Sequence, residues 1–181
     1  GVLARVADQL APHIPFAAEQ RIAAALPELV ATGGRADALA QRRQAGLAAL
    51  AERVAGAMDL PAGMAIQVRY VDLPVVNAMA TLGGQVYVYR GLLDRIDSED
   101  ALAAVLAHEI AHVRQRHVMR ALGRGVVLVS GLSVLGLNSQ GLNRWIMNKS
   151  VQVGTLAYSR EAEDEADYLA LHALHRMYGH A

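Results

Sequence analysis

Residues 101–113 are alanine, leucine, valine and isoleucine, interrupted only by His108-Glu109 and His112. A segment that is apolar nearly all round reads as a buried helix. Three polar side chains at the centre of such a helix are costly unless something satisfies them. Ser98-Glu99-Asp100 precedes the run, with Ser98 as the expected N-cap and acids in the first turn. A helix turns about 100° per residue, so positions i and i+4 stack on one face. His108 and His112 can therefore grip one ion from the same side, and Glu109 can reach a water held by that ion. A core histidine bonded to backbone would account for one of these residues, but poorly for all three at this spacing.

A catalytic zinc site usually has three protein ligands and one open position. A third histidine ten residues after the first would be one solution, but position 118 is Val. His117 lies nine residues from His108, half a turn around a continuous helix, and is expected to face solvent beside Arg114 and Arg116. The acidic cluster Glu161-Ala162-Glu163-Asp164-Glu165-Ala166-Asp167 offers a carboxylate instead. It opens a second helix whose apolar stripe runs through Ala162, Ala166, Leu169, Ala170, Ala173, Leu174 and Met177. Glu163 and Asp167 are i,i+4 partners flanking that stripe, whereas Glu161 and Glu165 line up with His172 on the polar side. Helical geometry thus selects Glu163 as the inward carboxylate, with Asp167 one turn on. Complementing the helix dipole accounts for Glu161, Asp164 and Glu165.

The His-Glu-x-x-His helix, Ser159-Arg160 and the Glu-x-x-x-Asp helix together resemble the gluzincin metallopeptidases of the CaaX-prenyl-protease and HtpX-like family, of the soluble periplasmic type. Asn77-Ala78-Met79-Ala80-Thr81-Leu82-Gly83-Gly84-Gln85-Val86-Tyr87-Val88 resembles that family's Asn-Ala strand, Gly-Gly turn and following strand, and Gly91-Leu92-Leu93 matches as well. The resemblance covers roughly residues 64–178. It implies that His108, His112 and Glu163 bind one zinc ion per chain and that Glu109 is catalytic. It also implies that Asp167 orients a ligating histidine, in keeping with the need to fix the imidazole tautomer. Asn77 and Ala78 match the family's strand edge and are expected to bind substrate, since an exposed edge holds a polypeptide extended through main-chain hydrogen bonds. Asn77 starting a turn after Pro74 is the alternative.

The expected fold is α+β: a mainly helical, zincin-like core with a small β-sheet beside two metal-binding helices. Helices are expected over 3–10, 16–31 and 35–58, separated by Pro12, Pro15 and Gly33-Gly34. Strands are expected over 64–71, 75–81 and 85–89, with Leu82-Gly83-Gly84 turning the second into the third. The 181 residues suit one peptidase domain, 1–60 as an N-terminal helical brace and 61–181 as the zincin core. Lysine plus arginine equal aspartate plus glutamate at 17 each, so no net field draws nucleic acid. Cysteine is absent, which excludes disulfides and cysteine-ligated zinc but is silent about compartment.

The chain begins with Gly1 and shows no signal peptide, as expected if a targeting segment has been removed or if this is part of a longer chain. Residues 125–143 carry no charge, but only 126–137 are strongly apolar, too short a run for a bilayer. A buried or interfacial helix fits better, with peripheral membrane contact through 125–141. Two functional readings follow. One is a zinc-dependent endopeptidase acting on unfolded or misassembled polypeptides, periplasmic or cell-envelope associated. The other is a latent metal-binding chaperone or partner-binding module of the same fold. His172, His175, His180 and Tyr158 are candidates for stabilising an oxyanion, and a late histidine on the open zinc position would hold the enzyme latent.

Overall fold

A computed structural model of the chain describes residues 9, 13–25, 34–121 and 158–179. The 3–10 helix, apart from Gln9, lies outside the described residues, as do the 125–141 segment and His180. Helix α1 spans Phe16–Ala25 and helix α2 spans Ala38–Gly56. Strands β1, Gln67–Val71, and β2, Ala78–Ala80, come next, and the 3₁₀ turn Leu82–Gly84 leads into β3, Gln85–Tyr89. Helix α3 is the single turn Arg90–Leu93, α4 spans Glu99–Arg114, and α5 spans Arg160–Tyr178. A short helical stretch at 117–121 follows α4. The architecture is α+β and mainly helical.

Helix α2 starts three residues later than expected because Asp37 caps it, accepting the Ala40 N–H at 2.9 Å. It buries Leu47, Leu50, Ala51 and Val54, one face at helical spacing, against the sheet and α4. The strand order is β1-β3-β2, with β1 parallel and β2 antiparallel to β3. Both outer strands are shorter than expected: β3 begins opposite Gln67, which sets the start of β1, and only Ala78–Ala80 of the second strand pair with it. The β2–β3 hairpin forms where the Gly-Gly turn places it, closed by Thr81 N–H donating to Gln85 O at 2.7 Å. Gly84 sits at φ +77, and a Cβ there would lie 2.3 Å from the Ala65 carbonyl oxygen.

The edge of β1 turned away from β3 is occupied. The Gln44 amide donates to Val68 O at 2.9 Å and accepts from Tyr70 N at 2.7 Å, so one side chain satisfies the strand as a peptide unit would. The opposite edge of the sheet, on β2, faces α4. Helices α4 and α5 pack through small residues, with Ala103, Ala107 and Ala111 on one and Ala166, Ala170 and Ala173 on the other, all buried in one core.

The side chain of Glu19 on α1 is 3% exposed, and it accepts from Gly83 N–H at 2.8 Å and from Arg116 Nε at 2.7 Å. That buried carboxylate ties the first helix to the hairpin turn and to the end of α4. Arg116 takes φ +59, so the chain reverses immediately after α4. Ser98 caps α4 as expected, accepting from Ala101 N, and Ser159 caps α5 by accepting from Ala162 N. Gly179, at φ +75, closes α5 in the left-handed conformation that favours glycine.

Candidate metal centre

His108 and His112 stand one turn apart on α4, and their Nε2 atoms converge to 3.1 Å. From α5, Glu163 Oε2 lies 3.4 Å from His108 Nε2 and 3.9 Å from His112 Nε2. These residues each offer one ligand atom, all within 4.8 Å of one another. His108 Nδ1 lies 2.9 Å from Asp167 Oδ1. An ionised carboxylate only accepts, so Nδ1 carries the proton and Nε2 turns a lone pair inward. Burial depresses His112 to a pKa of about 3, helped by His108 and then His117, so its ring is neutral. Two imidazoles and a carboxylate with converging nitrogen and oxygen atoms form a donor set that a small divalent cation satisfies.

Glu109 points from the same helix toward the sheet, where its Oε2 accepts the Ala80 N–H at 2.8 Å. Desolvation raises its carboxyl to about 7, against the opposing pull of His108 and of the Ala80 hydrogen bond. Tyr89 N donates to Asn77 O at 3.1 Å and Thr81 N to Gln85 O, so residues 77 and 81 turn their main chain toward β3. By strand alternation the main chain of Ala78 and Ala80 faces the outer edge. The backbone oxygen of Asn77 is therefore already engaged, while Ala78 presents its peptide groups to the side on which Glu109 lies.

Tyr158 precedes the cap of α5 and stacks on His112, with ring centroids 4.1 Å apart and planes at 19°. Burial and the nearby Glu109 and Glu163 carboxylates raise its hydroxyl pKa. Among the described residues expected as oxyanion stabilisers, it is the one beside the ligands. His172 and His175 are exposed, and the His172 ring lies against Tyr168 at 4.3 Å.

The structure corrects the expectation for His117. It does not face solvent: it is 4% exposed, and its Nδ1 lies 2.9 Å from His112 Nδ1. Its Nε2 lies 3.1 Å from Glu165 Oε2, so Glu165 also has a structural contact beyond the helix dipole. The expectation extended α4 past Arg114, whereas the reversal at Arg116 swings His117 back behind the second ligand. No local signal in residues 114–117 marks that reversal. Ala80 was missed as a contact of Glu109 because strand phase depends on the hairpin register.

Residues 41–181 match Peptidase family M48. The chain is 40% identical over 101 residues to the mitochondrial metalloendopeptidase OMA1 of Schizosaccharomyces pombe, covering 54% of this chain and 29% of that protein. It is 34% identical over 113 residues to the beta-barrel assembly-enhancing protease of Yersinia pestis, covering 56% of this chain and 23% of that protein. The Escherichia coli protein of the same name is 32% identical over 111 residues, with 56% of this chain and 23% of that protein covered. The chain thus spans less than a third of the length of these relatives.

Proposed function

The chain belongs to peptidase family M48, and on that premise we propose that it is a zinc-dependent endopeptidase hydrolysing peptide bonds. In this reading His108, His112 and Glu163 hold one zinc ion, Glu109 is the general base, and Asp167 orients His108. The observation that carries it is the convergence of three ligand atoms within 4.8 Å beside a carboxylate of raised pKa. Zinc held there would supply Lewis acidity toward the scissile carbonyl and lower the pKa of a bound water to about 7. Glu109 takes the proton from the attacking water and returns it to the leaving amine. Its bond to Ala80 N holds it beside the strand edge. The substrate backbone extends along β2, held by the outward peptide groups of Ala78, with the Asn77 side chain at the end of that edge.

The substrates in this reading are unfolded or misassembled polypeptides of a bacterial cell envelope, the chain being periplasmic or envelope-associated. The relatives named beta-barrel assembly-enhancing protease support it, while those named mitochondrial metalloendopeptidase carry the same domain in another compartment. Among the described residues no helix is long and apolar enough to cross a membrane. Residues 125–141 are the proposed membrane-contact segment, and liposome flotation with and without them tests it: equal flotation removes the idea.

The main test compares casein hydrolysis by the zinc-loaded chain and by Glu109→Gln. The expected loss is at least about 100-fold with zinc still bound. If both proteins bind one zinc and neither cleaves, the chain is a metal-holding binding module.

A further inference from the structure

We propose that His117 and Glu165 form a positioning relay behind the second metal ligand, fixing the tautomer and ring angle of His112. The proposal rests on the metal centre described above and adds two residues to it.

The proton inventory determines the relay. Glu165 ionised is an acceptor only, so at 3.1 Å His117 Nε2 is the donor. A neutral His117 then has a lone pair on Nδ1, which faces His112 Nδ1 at 2.9 Å. His112 must donate across that contact, so its proton is on Nδ1 and the Nε2 lone pair faces the centre. The other tautomer would oppose two lone pairs on the Nδ1 side and aim an N–H at the ligand position. The assigned one turns the Nε2 lone pairs of His108 and His112 toward each other at 3.1 Å, the arrangement that a cation between them satisfies. His112 is 1% exposed, so solvent does not readily replace His117 as its acceptor. The rings also fit edge to face, with centroids 5.0 Å apart at 66°.

The two imidazole ligands are thus held by two devices from one helix. Helical phase puts Glu163 and Asp167 on one flank of the Ala166, Ala170, Ala173 stripe and Glu165 on the other. On the first flank Asp167 meets His108 directly; on the second a carboxylate reaches His112 through an interposed imidazole. That imidazole is delivered by the reversal at Arg116, whose guanidinium is anchored to Glu19 Oε2 at 2.7 Å and Ile14 O at 2.9 Å.

Two measurements on the full chain test the relay. Zinc affinity is read by competition with a chromophoric chelator for wild type, His117→Ala, Glu165→Ala and Glu165→Asp. Each alanine variant is expected to weaken zinc binding by about 10- to 100-fold, the range for groups that orient a metal-ligating histidine. The double variant is expected to lose no more than the worse single, since the two act in series. Glu165→Asp, which keeps the charge, should recover part of the loss. In metal-free protein, imidazole ¹⁵N shifts should report His112 protonated on Nδ1 in wild type and a mixture of tautomers without His117. Glu165 is half exposed, so its variants remain informative if His117→Ala fails to fold. Wild-type zinc affinity and an unchanged His112 tautomer in the Glu165 variants would overturn the relay while leaving the metal centre intact. A wild type that takes up no zinc would sink the metal-centre reading, and the tautomer measurement would still decide the relay.

Discussion

The carboxylate of Glu109 accepts the main-chain N–H of Ala80 at 2.8 Å, bridging α4 to the β2 edge of the sheet. One hydrogen bond therefore couples the candidate base to the strand proposed to hold substrate. The bond favours the ionised form, yet burial outweighs it and the carboxyl titrates near 7.

A stability prediction follows from that balance. The folded carboxyl titrates above its usual 4.5, so the metal-free protein is penalised as pH rises from about 4.5 to 7, and the penalty persists above 7. Glu109→Gln keeps an acceptor for Ala80 and removes the charge. Urea unfolding at pH 8 should show the variant more stable by about 1–2 kcal/mol, part of the full shift being lost to solvent access. At pH 4 the difference should vanish. A variant less stable than wild type at pH 8 would contradict the cause given for the shift.

His112 has the opposite sign. Its folded pKa of about 3 lies below the usual 6.5, so the unfolded chain binds more protons between those values. The metal-free protein should lose stability as pH falls through that window, by an amount on the order of 4 kcal/mol from this group. Glu109 offsets part of it, so the comparison is wild type against His112→Gln across pH 7.5 to 4. A flatter profile in the variant is expected; parallel profiles would show that His112 is not the source.

Glu19 sits in the core with its charge matched by Arg116 at 2.6 Å and with Gly83 N–H as a donor. Glu19→Ala leaves a largely buried guanidinium without its partner, which should cost about 3 kcal/mol. Because Arg116 also holds the reversal before His117, zinc affinity should fall together with the thermal midpoint. Loss of stability with unchanged affinity would separate the brace from the metal centre.

Gly84→Ala should be damaging although the position carries no proposed ligand. The position needs φ +77, and the added Cβ would meet the Ala65 carbonyl oxygen at 2.3 Å. A loss of at least about 2 kcal/mol is expected, measured by urea unfolding, because both strain and overlap must be relieved. A neutral substitution would mean the hairpin turn can shift without cost.

What was legible in the sequence is what helical period alone determines. Ser98 and its acids start α4 where expected, His108 and His112 share a face, and Glu163 with Asp167 meets that face from α5. The first two depend on residues within a turn or two. Helical phase puts Glu163 and Asp167 on the inward flank of α5, while their meeting α4 is what the family resemblance implied. His117 was not legible, because its direction depends on Arg116, which is held by Glu19, 97 residues earlier in the chain. Strand lengths failed for a similar reason. Residues 64–66 alternate well enough for a strand, but pairing belongs to the partner, and β3 begins opposite Gln67.

The Gln44 amide bonded to Val68 and Tyr70 has a consequence beyond local hydrogen bonding. A sheet with two free edges can be extended from both sides, which is how strands polymerise into fibres. Here one edge is stoppered by a side chain that imitates a peptide unit. Among the described residues this leaves β2 as the edge at which an extended chain can join, so the sheet cannot link two such chains through both of its edges.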